Sequence, residues 1–237
     1  MSLNIRMHER NPFKNNPPDF VRLSKLYSEF AQHCNELNQF KLDFKNPDSI
    51  RALCCVLVKD LFNYDLDIPL DHLIPRIPQR LNYVLWIEDL LKRPTKAKGI
   101  DIGCGSSCIF GILCCGLNKE WELLATDISD SNLAYARKNI ETNRLENRIK
   151  LIKIENESIL KDIFKNNNNE YDFLMCNPPF YSNESELEGV TRKPEKRPLP
   201  KSINTGRLHE SIYADGGETG FIKKMIDESI QIGSKIK

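Results

Sequence analysis

The chain has 237 residues, of which 40% are hydrophobic and 28% are charged, enough apolar material for a core that needs no disulfide or metal. Its 34 lysine and arginine residues are balanced by 33 acids, so any basic surface for nucleic acid must be local. No apolar run approaches the 18 residues of a membrane-spanning helix, and the amino terminus lacks a signal peptide's apolar stretch, so we expect a soluble intracellular protein.

The first third of the chain predicts a helical extension. Apolar residues recur at helical spacing in three places, and the second helix begins with the cap Asn46 followed by Pro47. The predicted elements are an extended polar arm (1–18), a helix (19–34), a helix (47–61), a proline-punctuated connector (65–80) and a helix (81–92). We place the boundary between a basic, RNA-binding extension (1–75) and a core domain (76–237).

The pattern then changes to short strands that alternate with helices. Strands are predicted over 98–103, 122–127, 149–154 and 171–176, with helices over 132–143 and 216–232, a loop at 166–169 and a polar segment over 182–210. Such alternation indicates right-handed crossovers and a parallel sheet, hence an α/β fold.

The placement of the eight cysteines indicates free thiols. Most lie in apolar stretches or predicted strands, there is no C-x-x-C pair, and no histidine stands at zinc-ligand spacing. We therefore expect buried reduced cysteines and no metal site.

Glycines follow the first predicted strand in the sequence Asp101-Ile-Gly103-Cys-Gly105. Glycine permits a tight turn and a close approach of backbone to ligand at the carboxyl edge of a parallel sheet. The pattern lacks the third glycine of a dinucleotide fingerprint and, alone, fits a purely structural turn equally well.

Asp127 ends the second predicted strand. A carboxylate at that place can accept hydrogen bonds from both ribose hydroxyls of an adenosine-containing cofactor. The alternative is a helix-capping aspartate before Ser129.

The fourth predicted strand is followed directly by Asn177, Pro178, Pro179 and Phe180. The Asn177 side-chain oxygen and the Pro178 carbonyl can accept both hydrogens of an amine conjugated to a ring, which frees the nitrogen lone pair to attack a methyl group. The prolines stiffen the turn, and Phe180 offers a face on which a planar base can stack.

These motifs together resemble class I S-adenosylmethionine-dependent methyltransferases and, more narrowly, the methyltransferase-like protein 16 family. The resemblance spans essentially the whole chain and is carried by His8, Pro17-Pro18-Asp19-Phe20, Ile68-Pro69-Leu70, Pro78-Gln-Arg80-Leu-Asn-Tyr83, Gly99-Ile-Asp-Ile-Gly103 and Asn204-Thr-Gly206. That family methylates N(6) of adenosine in U6 small nuclear RNA and in messenger hairpins, so the resemblance implies this reaction, these RNA partners, S-adenosylmethionine as cofactor and a nuclear and cytoplasmic location.

The resemblance also implies residue roles. Asn177, Pro178, Pro179 and Phe180 would form the catalytic turn. The implied cofactor-binding residues are Arg80 at the methionine end, Gly103, Asp127 at the ribose (where the family often has glutamate), Ser158 near the adenine, and Asn177. The stretch Pro17, Pro18, Asp19 and Phe20 would contact RNA.

A basic segment (189–209) follows the predicted catalytic turn. It carries Arg192, Lys193, Lys196, Arg197, Lys201 and Arg207 against one acid, Glu195. Phosphate contacts from this segment would bind RNA near the entry point of a target base, with the arm's Arg6, His8, Arg10 and Lys14 and nearby Arg22 and Lys25 as the other wall.

Two other functions stay open. A protein methyltransferase for a glutamine amide could use the same prolyl turn, although a peptide would not need the basic segment. A methyltransferase-like module that binds RNA without turnover is the second, because after the helix at 216–232 only five residues remain. We therefore expect a Rossmann-like class I methyltransferase sheet that is truncated before its fifth strand and leaves an open edge.

Overall fold

The structure, a computed structural model, describes residues 6–155, 158–165, 169–187 and 208–236. The helices are α1 (Phe20–Leu26), α2 (Ser28–Ala31), α3 (Pro47–Phe62), α4 (Ile77–Leu90), α5 (Ile109–Leu117), α6 (Asp130–Thr142), α7 (Lys161–Phe164), α8 (Glu184–Leu187), α9 (Leu208–Ser211) and α10 (Gly217–Ile232), with 3-10 turns at Glu36–Asn38 and Gly233–Lys235. The strands are β1 (Lys96–Ile102), β2 (Glu120–Asp127), β3 (Ile149–Lys153) and β4 (Phe173–Cys176).

The four strands form one parallel sheet in the order β3-β2-β1-β4, which confirms the predicted α/β class. Ile102, the last residue of β1, stands opposite Thr126 of β2 and Cys176 of β4. The residues that follow these strands therefore emerge side by side at one edge, which is where open parallel sheets bind ligands.

The outer side of β4 is partly covered just before the strand begins. The Tyr171 N–H donates to the Lys235 carbonyl at 2.9 Å, and Tyr171 forms a parallel bridge with Ile236. The predicted open edge therefore has a neighbour at its start, because the residues after α10 return alongside it.

The extension differs from the prediction in two places. The helix expected over 19–34 is broken at Tyr27, whose backbone is extended (φ −128°) and whose hydroxyl donates to Asp60 of α3 at 3.2 Å. The arm described from residue 6 is folded against α4 rather than extended: His8 and Asn11 are buried, and the Asn11 amide donates to the Pro78 carbonyl at 2.9 Å.

The extension and the sheet share buried apolar contacts. One cluster contains Phe13 and Leu23 of the extension, Val58 of α3, Leu81 of α4 and Trp121 of β2, so the predicted boundary at residue 75 crosses a continuous core. None of the described helices combines the length and the apolar character that a membrane crossing requires.

Candidate active site

A cavity of about 180 Å³ opens at the carboxyl edge of the sheet. Five residues predicted from sequence line it together: Gly103, Asp127, Ser158, Asn177 and Pro179. They come from the ends of β1, β2 and β4 and from the segment before α7, and the sheet topology brings those at the strand ends to one place.

The glycine turn (residues 103–107) connects β1 to α5. Gly103 and Gly105 have φ angles of +69° and +64°, which residues with a side chain adopt at a cost, so glycine is needed at both positions. The Cys104 N–H donates to the Thr126 carbonyl at 2.8 Å, and the Gly105 N–H donates to Asp127 Oδ2 at 2.9 Å. The end of β2 thus fixes the turn.

Asp127 is buried and accepts three hydrogen bonds, from the Gly105 N–H, from the Ser129 N–H at 2.9 Å and from the Asn132 side chain at 3.2 Å. A carboxylate has about four acceptor positions, so capacity for a further donor is left. The capping residue of α6 is Ser129, whose side chain accepts from the Asn132 N–H, so capping does not explain Asp127.

The prolyl turn (residues 177–180) directly follows β4. Asn177 and Pro179 line the cavity, and in the described part of the chain the Asn177 side chain has no hydrogen-bond partner. Phe180 is 46% exposed. Beyond the turn, Tyr181 bridges to Ile212 in parallel, with its N–H donating to the Ser211 carbonyl at 2.9 Å, so the turn is anchored while its polar and aromatic groups are left available.

Arg80 does not line the cavity. Its guanidinium packs on Phe110, 5.5 Å from the ring centroid, and burial lowers its pKa while the charge of Asp101 opposes that shift. Asp101 of β1 is fully buried, and neither of its carboxylate oxygens has a hydrogen-bond partner of ordinary geometry among the described residues.

The environment of Asp101 shifts its titration. Burial, followed by the charge of Asp127, raises the pKa of Asp101 to about 7, against the smaller opposing influence of Arg80 and of the Gly111 amide. A buried carboxyl with such a pKa beside a cavity is a feature typical of functional sites.

Helix α10 supplies cavity residues that the sequence did not reveal. Phe221 and Lys224 line the cavity, and Tyr213, which precedes the helix, packs edge-on against Phe221. The sequence predicts a helix here from its periodicity, but that periodicity does not show which face of α10 meets a ligand.

The same face of α10 carries Glu228, one turn beyond Lys224. Its Oε2 accepts from the backbone amides of Ile159, Leu160 and Lys161 at 3.0, 2.6 and 3.1 Å. The cavity wall that holds Ser158 is therefore tied to α10.

The residues predicted to bind RNA fall into two groups. Asp19 caps α1 by accepting from the Arg22 N–H at 3.0 Å, and Phe20 packs edge-on against Phe30, while Pro17 and Pro18 precede them; none of the four lines the cavity. Arg192, Lys193, Lys196, Arg197, Lys201 and Arg207 lie outside the described residues.

Two cations of the predicted second basic wall form ion pairs within the fold, and the contact of this wall with RNA stays a prediction. Arg10 is paired with Glu88 and Asp89 of α4, and Arg22 is paired with Asp60 of α3. Their charges are neutralised within the fold because the arm and α1 dock on helices that carry acids.

The cysteines are free thiols and six of the eight are buried, as predicted. Burial raises the pKa of Cys54 and Cys114 well above the ordinary value, which keeps these thiols protonated and unreactive. Among the described residues no group of three histidine, cysteine or acidic side chains is arranged to hold a metal ion.

Comparison with known proteins gives consistent matches. The model of a family described as RNA methyltransferase matches residues 1–237. The chain is 44% identical to RNA N(6)-adenosine-methyltransferase mettl16 of Danio rerio, over all of this chain and 50% of that protein. It is 36% identical to U6 small nuclear RNA (adenine-(43)-N(6))-methyltransferase of Drosophila melanogaster, over 98% of this chain and 78% of that protein.

Solved structures of the human protein METTL16 are similar throughout. Its catalytic domain in complex with MAT2A 3′UTR hairpin 1 superposes with a TM-score of 0.89 at 42% identity, covering 98% of this chain and 79% of that one. Its N-terminal domain in complex with SAH gives a TM-score of 0.78 at 38% identity, covering 98% and 81%. The chain spans about half the length of the vertebrate relatives that it matches.

Proposed function

The chain belongs to this RNA methyltransferase family, and from that membership we propose that it transfers a methyl group from S-adenosylmethionine to the N(6) amine of an adenosine in structured RNA. The observation that carries the proposal is the meeting of Gly103, Asp127 and Asn177 in one cavity, where the Asn177 side chain finds no partner among the described residues. Asn177 is half-buried and lines the cavity, so its side-chain amide is accessible to a target amine.

The cavity suits the proposed cofactor. A positive-φ glycine turn lets the backbone approach a ligand closely, Asp127 retains capacity for a ribose hydroxyl, and Ile128, Ile154 and Phe221 give apolar surface for a flat base. Ser158 lies on the same wall, with its hydroxyl accepting from the Asp162 N–H at 3.1 Å. We assign Arg80, beside Asp101, to the methionine end because a guanidinium is the natural partner of a carboxylate.

The prolyl turn provides the chemistry. When bound, S-adenosylmethionine supplies an electrophilic methyl group on a positively charged sulfur. The Asn177 oxygen and the Pro178 carbonyl accept the two N–H groups of the target amine and turn its lone pair toward the methyl carbon. Phe180 stacks on the base, and the prolines keep the acceptors in place while the proton released from the amine passes to water.

Structured RNA is the proposed partner. The relatives are named for U6 small nuclear RNA and for N(6)-adenosine methylation, and the solved human domain holds a messenger hairpin. We propose that Arg192, Lys193, Lys196, Arg197, Lys201 and Arg207 contact RNA phosphates, and that Pro17, Pro18, Asp19 and Phe20 form a second contact. A small nuclear RNA substrate implies action in the nucleus; a cytoplasmic fraction rests on the family resemblance alone.

Replacing Asn177 tests the proposal. Asn177→Ala removes an acceptor that acts on the target amine, so we expect methyl transfer to a hairpin RNA to fall about 100- to 1,000-fold. The dissociation constant for S-adenosylhomocysteine should change less than about threefold, because the glycine turn and Asp127 stay intact.

Two controls complete the test. Asn177→Asp keeps an acceptor oxygen and should retain more turnover than the alanine variant. Asn183→Ala removes an exposed asparagine just beyond the turn and should leave transfer unchanged. Undiminished transfer by Asn177→Ala would refute the assigned role, and transfer to a glutamine peptide instead of RNA would favour the protein methyltransferase.

A further inference from the structure

We propose that Asn139 of α6 is a positioning residue for the cofactor, because it links the connector between extension and core to the glycine turn. The inference rests on the proposed function, since it assumes that the glycine turn receives the cofactor. Asn139 is 1% exposed and lies outside the cavity, so it acts through the backbone that it holds and not by contact with a ligand.

The glycine turn is held at three successive residues. The Cys104 and Gly105 amides donate to Thr126 and Asp127, as described above. The third bond comes from Asn139, whose side-chain Nδ2 donates to the Ser106 carbonyl at 3.1 Å. The first two bonds come from the sheet, whereas the third comes from a helix and fixes the side of the turn nearest to α5.

The bond to Ser106 orients a whole peptide group. A peptide bond is planar and trans, so its carbonyl and the following N–H point in opposite directions. Fixing the Ser106 carbonyl on α6 therefore directs the Ser107 N–H away from α6. Without Asn139 this peptide could rotate about ψ of Ser106 and φ of Ser107.

Asn139 is itself held by the connector. Its Oδ1 accepts from the Asp67 N–H at 2.7 Å, and its Nδ2 also donates to the Asp67 carbonyl at 3.0 Å. Both backbone groups of one connector residue thus fix the side-chain amide, which is why it reaches Ser106 in a single orientation. The connector that joins the extension to the sheet is by this route a part of the cofactor site.

The chain contains a matched control one turn along α6. Asn143 holds Asp65 in the same manner, accepting from its N–H at 2.8 Å and donating to its carbonyl at 2.7 Å. Within the described part of the chain, Asn143 makes no bond to the glycine turn. Variants of the two asparagines should therefore loosen the connector alike, while only those of Asn139 release Ser106.

The experiment compares Asn139→Ala with Asn143→Ala in the full chain. We expect both to lower the urea midpoint of unfolding. Asn139→Ala should weaken binding of S-adenosylhomocysteine, measured by calorimetry, about tenfold, whereas Asn143→Ala should change it less than about twofold. In kinetics, Asn139→Ala should raise KM for S-adenosylmethionine and leave kcat and KM for RNA nearly unchanged.

A second pair of variants covers the case in which the alanine variants do not fold. Asn139→Asp keeps the shape of the side chain but has no donor when ionised; at low pH the protonated carboxyl can donate to Ser106 again. Because burial at this position raises the pKa of the introduced carboxyl, the defect of Asn139→Asp in cofactor affinity should shrink between pH 8 and pH 5. The defect of Asn143→Asp should be small at both pH values.

The outcomes separate the two proposals. Equal losses of affinity in the Asn139 and Asn143 variants, or no loss in either, would overturn the positioning role while the proposed function stands. Failure of the unmodified chain to bind S-adenosylhomocysteine at all would overturn the proposed function and, with it, this inference.

Discussion

The glycine turn and the prolyl turn meet at the same edge of the sheet but are built in opposite ways. The glycine turn has a backbone that its two glycines make flexible. Hydrogen bonds to Thr126, Asp127 and Asn139 hold it in place. The prolyl turn has a backbone that its two prolines make stiff, and it is anchored beyond its end, at Tyr181. In the described part of the chain the Asn177 side chain has no hydrogen-bond partner, and Phe180 is half exposed.

The contrast separates two tasks. A site for one invariant ligand can be preorganised completely, and the bonds that hold its backbone need not involve the ligand. A site that must orient a reacting amine has to keep acceptors unsatisfied until the substrate arrives, so its rigidity must come from covalent restraint, which proline provides. The predictions below address the RNA side and the cofactor side of this contrast separately.

The largest effect is expected on the RNA side. Neutralising Arg192, Lys193, Lys196 and Arg197 with glutamine should weaken RNA binding about 100-fold near physiological salt and flatten the plot of log affinity against log salt by about 3 units. Affinity for S-adenosylhomocysteine should be unchanged. Binding titrations at several salt concentrations measure both quantities.

The matched control neutralises four exposed lysines at the opposite, amino-terminal edge of the sheet: Lys96, Lys98, Lys119 and Lys150. These lysines should affect RNA affinity little. If the two sets of four weaken binding equally, the basic segment makes no special contact and the contact surface is assigned wrongly.

The next effect concerns Asp101, a buried carboxyl beneath the glycine turn. Its folded-state pKa of about 7 lies above the value of 3.8 for an unperturbed aspartate, so the native state binds more protons than the unfolded state between pH 4 and 7. Its contribution therefore makes the free energy of unfolding fall as pH rises through this window. An amide cannot ionise, so Asp101→Asn should gain stability relative to the parent by on the order of 2 kcal/mol between pH 5 and 7.

Urea unfolding at a series of pH values measures this difference. Asp227→Asn, an exposed change on α10, should show no comparable trend. A stability difference between Asp101→Asn and the parent that is the same at pH 5 and pH 7 would contradict the raised pKa.

The smallest effect is expected for Phe180. Phe180→Ala removes the stacking face for the target base, worth about 1 to 3 kcal/mol, so KM for RNA should rise about tenfold. Cofactor affinity should be unaffected. Phe44→Ala, which removes an exposed phenylalanine of the extension, is the control; equal effects of the two variants would count against stacking at the prolyl turn.

The sequence predicted the sheet and the part of the site at the carboxyl ends of its strands well. Strands followed by glycine, aspartate and Asn-Pro-Pro-Phe must end at the same edge in a parallel sheet, so Gly103, Asp127 and Asn177 could be placed together without coordinates. Ser158 was placed by family resemblance; it does line the cavity, while its contact with the adenine stays a prediction.

The sequence was less informative wherever a partner distant in the chain decides the outcome. Arg10 and Arg22 look like free cations until Glu88 and Asp60 are brought beside them. Asn139 looks like any polar residue of a surface helix until the connector and the glycine turn close over it. The local sequence pattern predicts where strands end and where turns form. Pairing between residues far apart in the chain can be identified only once the fold is known.

The most direct measurement is mass spectrometry of nucleosides from a hairpin RNA with an unpaired adenosine, after incubation with the chain and S-adenosylmethionine that carries an isotope-labelled methyl group. We expect labelled N(6)-methyladenosine, lowered about 100- to 1,000-fold in Asn177→Ala, and little label in a fully paired RNA. Label on another nucleoside, or none on RNA while a glutamine peptide is labelled, would contradict the proposed reaction.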